Sequence, residues 1–376
     1  MNLVWVHDIR LFSIDHAPYS SGALTDSVAA RYLADFDHVV LVGRPGVNAD
    51  ATNLTRLADP RVAIHPIARG RGALRELQAV IRDHDAVVAR VPSLYGNAAS
   101  RIAEKLGKPL FIEVVGDAWD SLRTHSNKGK ALAPIAYLDT RRAVARGDYV
   151  IYVTERFLQG RYPSRNRTLA CSDVELVVPD QAAECRLRAA QIDPWPARRL
   201  RVGSVGAIDI VYKGHADVIR ALGRLRASGV DVEYRIAGGG DPARLRQAAA
   251  DAGVSDLVTL SGRVPHDKIT DWLAAIDLYV QPSHTEGMPR ALLEAMAIGA
   301  PALASRVGGM PEVLPEDRIF KAGDVDALAK LIAATTPASA AADTRRNLER
   351  ARDFESYVLQ QQRSAFFHEF ATHASE

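Results

Sequence analysis

Two series of short apolar strands, separated by a proline-rich break, are the feature that most constrains the fold of this chain. The first series reads NLVWV, HVVLVG, VAIHPI, DAVVARV, PLFIEVV and DYVIYVT, with helical patterns such as ALRELQAVIRD between several members. The second series reads RLRVGSVG, DVEYRIAG, LVTLSG, DLYVQPS and APALAS. Apolar, β-branched strands that alternate with helices are typical of a parallel sheet covered on both faces. We therefore expect two α/β sheets in series.

The break between the two series, at residues 179–199, sets the expected domain boundaries because prolines and mixed polarity replace the periodicity there. The sequence predicts a first Rossmann-like domain over 1–180, a linker over 181–199 and a second Rossmann-like domain over 200–352. An amphipathic helix over 353–376 follows, which could pack on the first domain. Because ligands of open α/β sheets bind at the carboxyl ends of the strands, we expect a ligand cleft between the two facing sheets.

The composition excludes several classes of protein. A formal net charge of +2 argues against a dedicated nucleic-acid binder. The two cysteines, Cys171 and Cys185, are too few for a disulfide scaffold or a cysteine-rich metal site. The N-terminus has no signal-peptide pattern, and no apolar run approaches the roughly 20 residues of a membrane span. We therefore expect a cytoplasmic location.

One segment concentrates positive charge. Residues 121–147 carry six basic side chains, and Asp139 is the acidic residue among them. Such a segment is consistent with a solvated helix face followed by a loop. It is also consistent with a surface that meets anionic lipid headgroups or a lipid diphosphate. Both interpretations stay open at this point.

The stretch HTEGMPRALLEAMAIGAP predicts a helix that begins without a side-chain cap. Pro289 suits the first helical position, and Met288 before it cannot act as a cap. The backbone N–H groups of Arg290 and Ala291 therefore lack a side-chain partner of the usual kind. An uncapped helix start at the carboxyl edge of a sheet favours an anion, and Gly287 lets a ligand approach the backbone closely.

Two glutamates flank this helix start and are expected to have separate roles. Glu286 lies in the loop ahead of the helix, and Glu294 lies about a turn and a half inside it, where its side chain can point back toward the same ligand. The simpler interpretation makes Glu286 a helix-dipole partner and Glu294 a surface residue. The spacing, the loop and the following VGGMPE favour a shared ligand.

The stretch EGMPRALLEAMAIGAPALASRVGGMPEVL resembles the signature of glycosyltransferase family 4, whose members are retaining enzymes of the GT-B architecture that use nucleotide-sugar donors. The E-x7-E spacing, the LEAMAxGxP segment and the GGxPE segment all match. The resemblance covers residues 198–320 closely and remains collinear over the first half. It implies an α/β GT-B fold and transfer of a sugar to a hydroxyl acceptor.

The resemblance assigns the donor site residue by residue. Glu286 is expected to contact hydroxyls of the transferred sugar, and Glu294 to hold the ribose hydroxyls. The N–H groups of Arg290 and Ala291 are expected to meet the distal phosphate. The backbone of the intervening loop is expected to line the sugar pocket: Gly287, Met288 and Pro289.

The donor diphosphate is expected near GSVGAIDIVYKG, where Gly206 ends a strand and Lys213 precedes a helix. A lysine beside a cleft supplies a compact positive charge for a diphosphate leaving group. Family members usually carry an arginine shortly after this glycine, whereas this chain has Ala207. Lys213 then acts with helix dipoles alone, or another arginine takes the role, and Arg263 is one candidate.

The nucleoside is expected at two further strand ends. The segment YRIAGGGDPARL contains Gly238 in a glycine-rich turn, but the G-x-G-x-x-G spacing of a dinucleotide fold is absent. In LSGRVPHDKI, the resemblance implies that the backbone of Arg263 and Val264 hydrogen-bonds the nucleobase. Such contacts leave open whether the donor is a UDP- or a GDP-sugar.

The first half is expected to carry the acceptor site. Ser20, Ser21 and Gly22 form a short version of the glycine-rich loop that the family places near the donor phosphates; a capped helix start is the alternative. Asp117, in GDAWDSL, is a candidate for orienting the acceptor or the reacting sugar, as is Asp120. Helix capping is the alternative for both. Scattered histidines are further candidates: His7, His16 and His125.

The residues and the resemblance together predict a metal-independent hexosyltransferase with Glu286, Lys213 and Asp117 at its catalytic centre and no separate cofactor, and the resemblance implies that it is a retaining enzyme. The sequence has no D-x-D motif at a strand end, and front-face attack is the expected route to retention. The segments GDAWDSL and YVTERFLQGRYP resemble family members from bacterial surface-polysaccharide assembly. With the basic segment 121–147, this resemblance makes a nucleotide sugar and a lipid-linked saccharide the expected partners, with no nucleic acid. The alternatives are a nucleotide-sugar epimerase or hydrolase, and a non-catalytic nucleotide-sugar-binding module.

Overall fold

The computed structural model describes residues 1–21, 24–47, 54–125, 127–192 and 197–376. These residues form two compact units. The first unit comprises Met1–Asp173 and Gln360–Glu376, and the second comprises Val174–Leu359. The boundaries expected from sequence, at 180 and 352, both lie inside the second unit.

The first unit is built on a nine-stranded sheet. Its strands are β1 (Asn2–Ile14), β2 (Ala17–Ser20), β3 (His38–Pro45), β4 (Thr55–Arg56), β5 (Val62–Pro66), β6 (Ala86–Val91), β7 (Leu110–Val114), β8 (Tyr149–Tyr152) and β9 (Arg167–Ala170). Seven of them pair in parallel in the order β5-β3-β1-β6-β7-β8-β9. All six strands predicted in this half are present. Helices follow the strands: α1 (Asp26–Leu33), α2 (Ala73–Arg82), α3 (Leu94–Leu106), α4 (Ala118–His125), α5 (Asn127–Arg146) and α6 (Phe157–Arg161).

The distal half of β1 differs from the prediction. The chain continues as a strand to Ile14 and pairs antiparallel with β2, which in turn pairs antiparallel with β4. Asp15 and His16 form the connecting turn, and both have positive φ angles of 51° and 65°. Two-residue turns with positive φ match the right-handed twist of antiparallel strands. The segment expected to hold a glycine-rich loop is therefore partly a β-hairpin.

The second unit contains a six-stranded parallel sheet in the order β12-β11-β10-β13-β14-β15. Its strands are β10 (Leu200–Val205), β11 (Val232–Ala237), β12 (Val258–Gly262), β13 (Leu278–Gln281), β14 (Ala302–Ser305) and β15 (Ile319–Phe320). Its helices are α7 (Ala182–Ile192), α8 (His215–Ala227), α9 (Ala243–Asp251), α10 (Ile269–Ala274), α11 (Arg290–Ala297), α12 (Met310–Val313), α13 (Val325–Ala333) and α14 (Pro337–Arg352). All five strands predicted in this half are present.

The segment predicted as a linker contains a helix. α7 belongs to the second unit, where the Arg186 side chain donates to the backbone carbonyls of Ala274 and Asp277, both at 3.1 Å. Backbone carbonyls at the end of α10 have no hydrogen-bond partner within the helix, and one guanidinium can donate to several of them at once. A tertiary contact therefore orders a segment that has no clear helical periodicity.

The C-terminal helix α15 (Ser356–Ser375) supplies apolar residues to the first unit. The Phe367 ring stacks on Phe111 of β7 with centroids 4.3 Å apart, and Phe370 meets the same ring edge-on. Aromatic pairs in these geometries contribute beyond their buried area. The chain thus returns to the first unit after completing the second.

Candidate active site

The carboxyl ends of β10 and β11 bring two predicted glycines into contact. A Cβ atom added to Gly238 would lie 1.8 Å from the carbonyl oxygen of Gly206. The Gly206 N–H donates to Ala237 at 2.9 Å, and the Gly238 N–H donates to Gly262 at 2.8 Å. Gly238 is therefore required by the close approach of the neighbouring backbone, whereas a Cβ atom on Gly206 would contact the Lys213 and His215 side chains at 3.4 Å or more.

A short 3-10 turn, Val211–Lys213, carries the predicted lysine to the end of β13. Gly214 follows it with a φ angle of 74°, and a Cβ there would lie 2.0 Å from the Pro282 carbonyl oxygen. A side chain at this position is excluded by both the backbone angle and the contact. The turn therefore packs directly on the loop that precedes α11.

Lys213 and Glu286 form an ion pair at this edge. The Lys213 ammonium lies 2.6 Å from Oε1 of Glu286, with the two side chains 22% and 14% exposed. Ser283 donates to the same carboxylate oxygen at 2.8 Å, and the Gln281 amide donates at 3.3 Å. Three donors therefore converge on Oε1, which fixes the carboxylate while part of the lysine stays accessible.

A buried chain of hydrogen bonds orients this carboxylate. The Tyr279 hydroxyl donates to Oε1 of Gln281 at 2.5 Å, so that the amide nitrogen of Gln281 faces Ser283 at 2.9 Å and Glu286. Ser305 donates to the backbone carbonyl of Ser283. Tyr279, Gln281 and Ser283 are all buried. Tyr279 and Gln281 are two residues apart in β13 and so share one face of the strand, and Ser283 continues the same spacing just beyond its end. This spacing could have identified them in the sequence.

Helix α11 begins four residues after Glu286 and lacks a side-chain cap, as predicted. Pro289 is the residue before the first helical one, with a ψ angle of 109°, so the helix begins one residue later than expected. Met288 is buried, and the Gly309 N–H donates to the Gly287 carbonyl at 2.8 Å. The glycines of VGGMPE therefore hold the loop that leads into the helix.

Glu294 lies on the first turns of α11, as the spacing predicts. Burial raises the pKa of Glu294, while the positive charges of Arg290 and His266 oppose that rise. The Arg290 guanidinium lies 3.9 Å from the carboxylate. Glu294 is thus a mostly buried acid at the sheet edge and not a solvated surface residue.

Family members usually carry an arginine at the position of Ala207, and in this structure the side chain of Arg244 reaches the same neighbourhood. Arg244 of α9 donates to the backbone carbonyl of Ile208 at 3.0 Å, directly after Ala207. The sequence-based candidate, Arg263, lies at the end of β12 near Gly239. Arg244 could not be identified from the sequence because it is 37 positions beyond Ala207 and belongs to another helix.

Two histidines lie beside these loops and were not assigned a role in the sequence. Burial lowers the pKa of His215 to about 4, so the ring is neutral near pH 7; its Nε2 lies 3.3 Å from the Gly206 carbonyl oxygen. His284 lies 2.6 Å from the carboxylate of Asp217, which is also paired with Arg220. Burial raises the pKa of Asp217, but these two partners bring it below its usual range. Both histidines therefore support the loops that carry Gly206 and Glu286.

The profile of the family described as Glycosyl transferases group 1 matches residues 188–350. Protein CapJ of Staphylococcus aureus is 30% identical over 347 residues, which are 88% of this chain and 85% of CapJ. The chain belongs to the group 1 glycosyltransferase family. The predicted resemblance is thereby confirmed, and so is the prediction that the protein is a glycosyltransferase.

Two further comparisons cover most of the length of this glycosyltransferase. A GDP-mannose-dependent α-(1-6)-phosphatidylinositol monomannoside mannosyltransferase of Mycobacterium tuberculosis is 26% identical over 356 residues, 86% of this chain and 88% of that protein. The crystal structure of Anabaena HepE in complex with UDP matches with a TM-score of 0.68 at 15% identity, over 96% of this chain and 98% of HepE. The predicted fold class, α/β of the GT-B type with two Rossmann-like domains, is confirmed.

In the first unit of this glycosyltransferase, Asp117 has the contacts of a helix cap. Its buried carboxylate accepts from the Trp119 N–H at 2.9 Å and from the Tyr162 hydroxyl at 2.6 Å, and Arg161 lies 3.3 Å away. Arg161 also approaches Asp120, whose pKa is raised by burial and by the neighbouring Asp117. The structure therefore provides the alternative, capping role for Asp117 and couples the two acids through one arginine.

The remaining candidates of the first unit are dispersed. Gly22 lies outside the described residues, as does the side chain of His125. Ser20 is the last residue of β2, and its hydroxyl donates to the Leu24 carbonyl at 2.5 Å. Burial and the charge of Arg90 lower the pKa of His7 to about 4. No described contact brings these residues together into one cluster.

Proposed function

We propose that this glycosyltransferase is a retaining enzyme that transfers a sugar from a UDP- or GDP-sugar to a hydroxyl of a lipid-linked saccharide, in polysaccharide or glycoconjugate biosynthesis. It acts in the cytoplasm, peripherally at the inner face of the membrane. The observation that carries the proposal is the Lys213–Glu286 ion pair beside the uncapped start of α11.

The sugar-binding role of Glu286 is supported by the way its carboxylate is held. All three described donors meet Oε1, so Oε2 is the oxygen that can accept from a hydroxyl of the transferred sugar. A carboxylate whose position is fixed before binding loses little conformational freedom when the sugar arrives. The backbone of Gly287, Met288 and Pro289 forms the adjoining wall of the sugar pocket.

The leaving diphosphate is assigned to Lys213 and the N–H groups of Arg290 and Ala291. As the bond between the sugar and the phosphate lengthens, negative charge builds on the diphosphate and positive charge on the sugar ring. A lysine and a helix N-terminus placed before the reaction stabilise the negative charge without reorganisation. Because Glu286 is engaged by three donors, we assign it to the sugar hydroxyls and not to nucleophilic attack, and we propose front-face attack by the acceptor.

The nucleoside half is assigned to the neighbouring strand ends. Glu294 accepts hydrogen bonds from the ribose hydroxyls, and the backbone of Arg263 and Val264 hydrogen-bonds the nucleobase. Gly206 and Gly238 carry no side chain, so the donor can approach the main chain closely there. The relative from M. tuberculosis is named for GDP-mannose, and HepE was crystallised with UDP. These names support a nucleoside diphosphate sugar of either kind.

On the acceptor side, the proposal rests on Asp117 and Asp120. Asp117 is buried among its partners, whereas Asp120 is the more exposed of the two acids, at 28% of its side chain against 1%. We therefore assign contact with the acceptor hydroxyls to Asp120 and the positioning of Arg161 to Asp117. A lipid-linked acceptor is supported by the basic segment 121–147 and by the name of the M. tuberculosis relative, which acts on a phosphatidylinositol mannoside.

The proposed reaction is tested by incubating the protein with a panel of UDP- and GDP-sugars and measuring nucleoside diphosphate release with and without saccharide acceptors. Release that depends on an acceptor, with a new glycosidic bond in the product, is the expected result. An epimerised donor, release that is independent of every acceptor, or binding without release would each contradict transfer. The anomeric configuration of the product, read by nuclear magnetic resonance, tests retention.

We further propose that Arg244 supplies the cation that Ala207 does not. Changing Arg244 to glutamine should lower kcat/KM about tenfold or more, because a hydrogen bond to a charged group contributes about 1.5–3 kcal/mol. Arg246→Gln, on the exposed side of the same helix, is the matched control and should leave the kinetics unchanged. A loss in Arg263→Gln that exceeds the loss in Arg244→Gln would assign the role to Arg263 instead.

Transfer should not require a metal ion. Full activity is expected after dialysis against a chelator, because Lys213 and the N-terminus of α11 already place positive charge and dipoles at the leaving diphosphate. The measurement is acceptor-dependent release in ethylenediaminetetraacetate, with magnesium and manganese added back in parallel. Activity that disappears in the chelator and returns with either metal would overturn this prediction.

A further inference from the structure

Helix α5 of the first unit exposes three large aliphatic side chains on one face. Leu132, Ile135 and Leu138 are 53%, 66% and 48% exposed. They are spaced three residues apart, so they lie side by side along consecutive turns. We call this face, with the basic residues described below, the α5 surface.

The α5 surface is the face opposite the buried side of the helix. The buried residues of α5 fall on one side: Gly129, Ala133, Thr140, Ala143 and Val144. Lys128 and Arg142 are exposed and lie seven residues before and after Ile135. Seven residues are nearly two full turns, so both cations project on the same side as Ile135. The apolar stripe therefore has a positive charge near each end.

The surroundings of this stripe are mostly cationic. Exposed basic side chains of α4 and α5 are Arg123, Lys128, Lys130, Arg141 and Arg142. The acidic residue of the helix, Asp139, is engaged by Arg101 and by the Asn97 amide at 2.9 Å. The uncompensated charge is therefore positive, and its complement is an anionic surface.

We propose that the α5 surface docks this protein on an anionic lipid bilayer. Aliphatic side chains enter the boundary between headgroups and acyl chains, while lysine and arginine extend to the headgroup phosphates. No helix in the described part of the chain is long and apolar enough to cross a bilayer, and a docking face of this kind does not need one. The inference deepens the proposed lipid-linked acceptor by naming the surface that meets the membrane.

Vesicle co-sedimentation with the full chain tests the proposal. Binding is expected to vesicles of equal parts phosphatidylcholine and phosphatidylglycerol, and to weaken at high salt, since salt screens the headgroup charge. Binding to vesicles of phosphatidylcholine alone should be much weaker. Absence of binding to the anionic vesicles, or equal binding to both kinds, would overturn the proposal; an aliphatic face reserved for a protein partner would give the first of these results.

Two sets of variants localise the contact. The double variant Lys128→Gln with Arg142→Gln should bind anionic vesicles about 25-fold less tightly, at about fivefold for each basic residue. The triple variant Leu132→Gln, Ile135→Gln and Leu138→Gln should also lose binding. The matched control is Leu74→Gln with Arg75→Gln, two exposed residues of α2 in the same unit. An equal loss in the control would contradict the assignment to α5.

The result of the vesicle-binding test can be distinguished from the result of the transfer assay that tests the proposed function. All substituted positions are exposed, so thermal unfolding and nucleoside diphosphate binding should match the unmodified protein. Release measured with a water-soluble acceptor tests transfer without a membrane. Vesicle binding can therefore fail while transfer succeeds, and transfer can fail while vesicle binding succeeds.

Discussion

Replacing Lys213 with alanine should lower kcat about 10²–10³-fold, the usual effect of removing one group that stabilises transition-state charge. The ammonium lies 2.6 Å from the carboxylate of Glu286, which precedes the uncapped start of α11 by four residues, and the leaving diphosphate is assigned to this region. The negative charge on this diphosphate grows as the sugar departs, so the interaction is stronger in the transition state than in the ground state. KM for the donor should therefore change less than kcat. The measurement is steady-state release of nucleoside diphosphate with saturating acceptor.

The matched control is Lys330→Ala, which removes an exposed lysine from α13 of the same unit. Its kinetics should equal those of the unmodified protein. Calorimetric measurement of donor binding shows whether the Lys213→Ala variant still forms the complex with the nucleotide sugar. An unchanged kcat in the Lys213 variant, with intact donor binding, would show that the leaving group is stabilised elsewhere.

The two glutamates should be separable by binding measurements. Glu294→Ala should weaken the binding of nucleoside diphosphate and of nucleotide sugar equally, by about 10- to 150-fold, because a hydrogen bond to a charged group contributes about 1.5–3 kcal/mol. Glu286→Ala should weaken the nucleotide sugar alone. Nucleoside diphosphate should bind to this variant as tightly as before, or more tightly, since Lys213 has lost its carboxylate partner. Glu349→Ala, an exposed glutamate of α14, is the control.

The pH dependence gives an independent check on Glu294. Burial raises its pKa, and the ionised carboxylate is the form that accepts from two ribose hydroxyls. Nucleoside diphosphate affinity should therefore be full above the raised pKa and fall as the pH drops through it, at a higher pH than for an ordinary glutamate. Glu294→Gln should abolish this dependence.

The division of roles between the two glutamates would be wrong if Glu286→Ala lost affinity for nucleoside diphosphate and for nucleotide sugar to the same extent.

The strands and most helices could be predicted because their patterns are local. Strands such as β3, β6 and β10 read as short apolar runs, since both faces of a parallel sheet are buried. The β1–β2 hairpin was missed because Asp15 and His16 make a tight turn without the glycine that usually marks one. α7 was missed because Arg186 and its carbonyl partners are far apart in the sequence.

The same distinction between local patterns and long-range contacts applies to the candidate site. The uncapped helix start, Glu286 and Glu294 were predictable, because the loop and the helix that carry them are contiguous. The side chains that surround them could not be predicted from the sequence. The contact of Arg244 with Ile208 joins two separate strand–helix connections, and Asp117 gained its buried partner Tyr162 from a segment 45 residues away.

By itself, the sequence determined two Rossmann-like sheets, the family motif and the pair of glutamates at an open helix start, because periodicity, turn chemistry and a single loop express them locally. Tertiary structure alone decided that Lys213 reaches Glu286 across 73 positions. It also decided that α15 returns to pack on Phe111, and that the aliphatic residues of α5 stay exposed. These outcomes depend on which distant surfaces become neighbours, and no local pattern of residues specifies that.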